Sequence, residues 1–231
     1  MFNSITTKKI YQYVIEQIQE MILGGRLKKG DKLPSERELA DQMNVSRTSV
    51  REGIRVLETM GIIESKQGEG NFICDNMKNS FIQPLSMMFI LNKGKYSDIF
   101  ELRAMLEQEV VRLAAHRGTE EEFEELKQIL DNLKDIDAIE QKTKYDKEFH
   151  YKIVSMSKNY LIESMYHIIS DLLEAFIENA RKKIIEKYKD ENILHIQHQN
   201  IYESIVNKNI DNAQKYMKEH IDIIKDSLDY I

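Results

Sequence analysis

A single cysteine, Cys74, in 231 residues leaves no partner for an internal disulfide and suits a reducing cytosol. It reads as a small buried or half-buried residue at a strand end. Two prolines and nine glycines leave little room for long loops or low-complexity tethers. Long apolar runs are missing too. The longest, residues 84–91 with one serine inside it, is too short to span a bilayer. The first twenty residues mix charge with apolar residues at helical spacing, so no signal peptide is expected. The chain also lacks an H-E-x-x-H pair, a G-x-S-x-G elbow and a dinucleotide loop. These absences predict a soluble cytoplasmic protein with no membrane partner that is not an enzyme.

What is present favours helix, since isoleucine, leucine, glutamate and lysine dominate. The chain is 42% hydrophobic and 31% charged, which is ordinary for a globular protein. Its net charge of −6 argues against a nucleic-acid partner only when taken globally. Residues 1–75 carry 11 basic and 11 acidic side chains, and the remainder carries 22 and 28. A neutral domain can still grip DNA if its arginines face one way.

Residues 33–73 hold the densest local signals. Ser35-x-x-Glu38 is a capping box that opens a helix, with Leu39 and Met43 on its apolar side. Asn44 and Val45 make a turn, and Ser46 can cap a second helix that stops at Gly61. On that helix Val50, Ile54 and Leu57 share one stripe, while Arg47, Arg51 and Arg55 recur every four residues on another. Ile62-Ile63 and Phe72-Ile73 read as two short strands around residues 66–70. Upstream, Thr6-Thr7 can cap a helix running to about Leu23, with Ile10, Val14, Ile18 and Ile22 on one face and Gly24-Gly25 ending it. Leu27, Gly30 and Leu33 mark a brief extended connection. In outline this is a winged helix-turn-helix. A helix of this kind fits the major groove and presents its first turns, here Arg47, Thr48 and Arg51, to base edges. Ser46, Ser49 and the helix N-terminal amides suit phosphate oxygens. The plainer alternative is a solvated arginine face paired with Glu52 and Glu58.

Periodicity breaks over residues 75–97, where Pro84, Asn92 and Gly94 interrupt an apolar segment that reads as a linker with a short buried helix. Beyond it there is no strand signal. Helices are expected over residues 98–117, 119–133, 142–157, 160–189, 191–206 and 211–230, which makes an antiparallel bundle. All six histidines lie here. His116 and His167 read as structural or exposed. Asp146 and His150 stand at i, i+4 on one helix, His198 lies on the next-to-last helix and His220 on the last. Three imidazoles and a carboxylate from three helices can converge on a transition metal with positions left open. Equally, an Asp-x-x-x-His pair arises by chance, and a buried histidine is most often just packed.

The N-terminal segment closely resembles the DNA-binding domain of the GntR family of bacterial transcription regulators. The marks are Gly25-x-Leu27-x-x-Gly30, Leu33-Pro34-Ser35-Glu36-Arg37-Glu38-Leu39-Ala40, Val45-Ser46-Arg47, Val50-Arg51-Glu52, Leu57, Gly61-Ile62-Ile63 and Gly68-x-Gly70-x-Phe72. The resemblance implies DNA contacts from Arg37, Ser46, Arg47, Thr48, Ser49 and Arg51, and wing contacts from Gln67 and Gly68. Gly53 replaces the usual alanine, at a helix-propensity cost of about 1 kcal/mol, and Asn71 replaces a common threonine. Residues 97–231 resemble the all-helical FCD effector domain of the FadR-type branch, through Glu101-x-Arg103-x-x-x-Glu107, Arg112-Leu113-Ala114-Ala115, Asp146-x-x-Phe149-His150, His198-x-x-Ile201-x-x-x-Ile205 and His220-Ile221.

That second resemblance implies a divalent transition metal on Asp146, His150, His198 and His220, zinc first with manganese, nickel or iron as alternatives. A small carboxylic acid effector would complete the coordination. Gln197 stands where the family often has glutamate, so the hydrogen bonding behind the ligands differs. His195 is an alternate ligand or a group behind one, with the second preferred. Arg103 either pairs with the effector carboxylate or makes an intrahelical pair with Glu107. The expected protein is mainly α, with a winged helix-turn-helix over residues 1–75, a linker over 76–96 and the helical effector and dimerisation domain over 97–231. It is expected to be a homodimeric repressor on a palindromic, double-stranded DNA operator.

Overall fold

The computed structural model describes residues 8–75, 78–134, 139–170 and 193–226. By its internal contacts the chain divides into two compact units, Met1–Leu85 and Ser86–Ile231.

In the first unit, helix α1 (Ile10–Leu23) starts with the Gln12 side chain accepting the Lys9 N–H at 2.9 Å. The Thr6-Thr7 cap expected from the sequence lies outside the described residues. Only the middle of the expected apolar face is fully buried, at Val14 and Ile18, while Ile10 is half exposed. Helix α2 (Glu36–Met43) opens on the Ser35 capping box. The Ser35 and Glu38 side chains each accept the other's backbone N–H, at 3.2 and 2.8 Å. Asn44 takes the left-handed conformation that short polar side chains tolerate and turns the chain into helix α3 (Arg47–Thr59). Ser46 caps α3 by accepting the Ser49 N–H at 3.1 Å. Val50, Ile54 and Leu57 are buried along its back, each contributing about 1.5–3 kcal/mol by leaving water.

Gly53 costs helix propensity, and the structure gives it a packing role. A β-carbon there would lie 3.0 Å from Val14 Cγ1 and 3.2 Å from the Tyr11 carbonyl oxygen, so its absence lets α1 and α3 approach. Strands β1 (Ile63–Lys66) and β2 (Gly70–Ile73) form an antiparallel hairpin with Ile63 opposite Ile73 and Lys66 opposite Gly70. The hairpin is longer than the two dipeptides expected. Gly68 and Gly70 supply the positive φ of its turn. A bridge from Lys32 to Phe72 ties the expected extended connection to the hairpin. Half-buried Cys74 follows β2 and donates its N–H to the Ile62 carbonyl at 2.9 Å.

Helix α4 (Lys78–Leu91) differs from the short buried helix expected. It runs fourteen residues, through Pro84, and Phe81, Met87, Met88, Ile90 and Leu91 are all more than half exposed. Its apolar residues fall all round the cylinder instead of on one stripe, so no single face can bury them.

Among its described residues the second unit holds helices and no strand. It comprises α5 (Tyr96–Arg117), α6 (Glu120–Lys134), α7 (Ile139–Met156), α8 (described over 160–170), α9 (Ile193–Val206) and α10 (Ile210–Asp226). Thr119 and Glu122 form the expected capping box before α6. The expected continuations over residues 171–189 and 227–230 lie outside the described residues. Helix α5 packs against α7, α9 and α10, and α6 against α7 and α9. Their core is built from Phe100, Val111, Phe149, Ile153, Ile201 and Met217. Placing α5, α7, α9 and α10 around one core is what brings the histidines together.

Candidate functional site

In the first unit, a groove of about 850 Å³ is lined by Arg37 of α2, Arg47 and Arg51 of α3, and Gly70 and Asn71 of the wing. Arg37, Arg47 and Thr48 are exposed, and Ser46 and Ser49 hold each other at 2.9 Å between hydroxyls while capping α3. Gln67 and Gly68 sit exposed at the hairpin tip and do not line this groove. Arg51 is paired, though not with Glu52 or Glu58. Its Nε and Nη2 donate to Glu36 Oε2 at 3.0 and 2.9 Å. Glu36 lies on α2, fifteen residues upstream, and no spacing rule within one helix would find it. The face therefore offers Arg37, Arg47 and Thr48 free of that pair, with Arg51 held in a fixed orientation by a carboxylate.

In the second unit, one turn of α7 supplies Asp146 and His150, α9 supplies His198, and α10 supplies His220. All four are buried, and their ligand atoms lie within 4.8 Å of one another. His150 Nε2 and His220 Nε2 are 3.2 Å apart, and His198 Nε2 is 3.2 Å from Asp146 Oδ1. His195, one turn before His198, is half-buried and is not in the cluster.

The groups behind the histidines decide which nitrogens face inward. His150 Nδ1 is 2.5 Å from Glu107 Oε2, and a carboxylate can only accept, so the proton sits on Nδ1. His220 Nδ1 is 3.1 Å from Gln197 Oε1, which also accepts. Both Nε2 atoms then point lone pairs at the same small space. Two lone pairs 3.2 Å apart repel unless a cation lies between them. Burial, reinforced by His198 and His150, pushes the His220 pKa well below the usual histidine range, which favours its neutral form. Donor atoms at 2.0–2.2 Å from a common ion lie within about 4.4 Å of each other, so the widest pair need close by only a few tenths of an ångström. The residues fit a divalent transition metal.

Arg103 and Glu107 on α5 stand behind this cluster, both almost fully buried. The intrahelical alternative for Arg103 is realised through Nε, which donates to Glu107 Oε1. Its Nη1 is buried with no hydrogen-bond partner among the described residues. Tyr166 of α8 donates to Glu107 Oε1 at 2.9 Å. Burial alone would raise the Glu107 pKa, but the Arg103 charge and the hydrogen bonds from Arg103 and His150 outweigh it and hold it well below the usual carboxylate range. The sequence offered Glu107 only as a partner for Arg103. Its bond to His150 crosses 43 positions and left no local signal.

A winged helix-turn-helix joined to a helical unit with a buried Asp/His3 cluster defines a class, that of DNA-binding transcription regulators. Residues 10–73 match the bacterial regulatory proteins of the gntR family, and residues 98–223 match the FCD domain. The chain is 35% identical over 210 residues to the HTH-type transcriptional regulator LutR of Bacillus subtilis, covering 90% of this chain and 96% of that protein. It is 29% identical over 228 residues to the Glc operon transcriptional activator of Escherichia coli K12, covering 96% and 89%. Among solved structures, a Streptococcus agalactiae GntR protein superposes with a TM-score of 0.70 at 25% identity, covering 94% of this chain and 99% of that one. The protein belongs to the GntR family, with an FCD effector domain. It is a DNA-binding transcription regulator and not an enzyme.

Proposed function

We propose that the protein is a homodimeric repressor that reads a palindromic operator and releases it when a small carboxylic acid binds a metal in the helical unit. In this reading residues 1–75 bind DNA, 76–96 link, and 97–231 bind effector and dimerise, in the cytoplasm where the operator is. Arg37, Ser46, Arg47, Thr48, Ser49 and Arg51 meet the major groove and its phosphates, and Gln67 and Gly68 meet DNA from the wing. Asp146, His150, His198 and His220 hold the metal, zinc before manganese, nickel or iron.

The observation that carries the reading is the convergence of four buried donors from three helices, with the Nδ1 atoms of His150 and His220 turned outward onto Glu107 and Gln197. Four protein donors leave positions open on a metal that accepts five or six. A carboxylate would fill them, and the unpartnered Nη1 of Arg103 would take its second oxygen. Differential affinity of the effector for the two DNA-binding arrangements would shift operator affinity by about 1–3 kcal/mol.

The test is metal analysis of protein purified without chelator, followed by operator-binding titrations with a panel of small carboxylates. One acid should weaken operator binding about 5–150-fold in metal-loaded protein and have no effect after chelation. Metal-free protein as purified, combined with no response to any acid, would discard the reading. One relative is called an activator and others, such as NanR of Cronobacter sakazakii, repressors, so the same titration also fixes the sign.

A further inference from the structure

The groups behind two of the proposed ligands are not equivalent. His220 leans on Gln197, a neutral amide, at 3.1 Å. His150 leans on Glu107, a carboxylate, at 2.5 Å. Glu107 is in turn fixed from its other oxygen by Arg103 and Tyr166, so that one buried carboxylate joins α5, α7 and α8. Glu107 is 1% exposed.

We propose that Glu107 is the positioning residue of the metal site. It fixes the His150 proton on Nδ1, turns Nε2 toward the other donors, and makes this imidazole a stronger donor than that of His220. A carboxylate accepting from the far nitrogen raises the basicity of the near one, and an amide does so less. Arg103 and Tyr166 both bond the other oxygen of Glu107. They hold Glu107 in place, and Arg103 offsets the charge that the site gains. The polarity of the arrangement follows: His150 is the anchor of the metal and His220 the weaker ligand.

This inference rests on the metal reading above, and the experiment separates the two. Zn2+ affinity of the full-length chain is measured by competition with a chromophoric chelator, with Co2+ absorption reporting the coordination. The variants are Arg103→Gln/Glu107→Gln, Gln197→Glu, and the three changes combined. The double variant removes both buried charges together, which avoids stranding Arg103, and circular dichroism checks its fold. Arg103→Gln alone is the control for the pair.

The double variant is expected to bind Zn2+ about 10–100-fold more weakly, and Arg103→Gln alone within a few fold of the parent. Gln197→Glu, which leaves the buried pair intact, is expected to tighten binding. In the triple variant it should recover most of the loss by moving the carboxylate behind His220. A purely structural Glu107 would not be rescued from position 197. The proposal is overturned if the folded double variant binds within twofold of the parent, if Arg103→Gln alone accounts for the loss, or if Gln197→Glu changes neither affinity nor the Co2+ spectrum. A parent that takes no metal overturns the metal reading itself, and this inference with it.

Discussion

At Gly53 two opposing terms can be compared directly. Alanine would gain about 1 kcal/mol of helix propensity. Its β-carbon would press on Val14 and the Tyr11 carbonyl at 3.0–3.2 Å, and both belong to the body of α1 and cannot swing away. Overpacking of this kind costs about 1–3 kcal/mol. Gly53→Ala is therefore expected to destabilise the first unit by about 1 kcal/mol in urea melts, and a midpoint unchanged or raised would show that α1 yields. Arg47 is the clearest test of DNA reading, because it is exposed near the start of α3 and lines the groove without the Glu36 pair that occupies Arg51. Arg47→Ala is expected to weaken operator binding by about 1–3 kcal/mol and to flatten preference at one base pair. Equal losses on operator and random DNA would reduce Arg47 to a phosphate contact.

Among the elements, α2 shows how a short helix is held. Eight residues are too few to persist on propensity, so its N-terminal amides need partners. Ser35→Ala removes the hydroxyl that accepts the Glu38 N–H and should cost about 1 kcal/mol. The cost should depend on pH in a definite direction. The Ser35 hydroxyl and backbone N–H hold the Glu38 pKa below its ordinary value of 4.5. A depressed carboxylate adds stability that is complete above that ordinary value and is lost as pH falls through the folded-state value. Paired melts of parent and Ser35→Ala should thus differ most near neutrality and converge in acid. A gap that widens below pH 4.5 would exclude the capping box as its source.

For the whole molecule, a metal that binds only the folded helical unit stabilises it by mass action, by about 2.7 kcal/mol at a hundredfold excess over Kd. Calorimetry with and without a strong chelator is expected to lower the transition of the helical unit and leave that of the winged helix in place. His198→Ala should abolish the difference. A chelator-insensitive scan of metal-analysed protein would mean that the four donors are packed and hold nothing.

The sequence by itself determined the winged helix-turn-helix, because its signals are local: a capping box, a turn at Asn44-Val45, a stripe at i, i+4, i+7 and glycines that end helices. Those energies arise within one or two turns of chain and can be read there. It also supplied Asp146 and His150 one turn apart with His198 and His220 on later helices, and family resemblance made the four a ligand set. Tertiary structure alone decided what stands behind these residues. Glu36 reaches Arg51 across a turn, Gly53 opens space for Val14, and Glu107 fixes the proton of an imidazole 43 residues away. Each is a contact between elements whose energy exists only once helices pack. Helix α4 is the reverse case: its composition promised burial, but apolar residues spread round all sides of a cylinder cannot face one core.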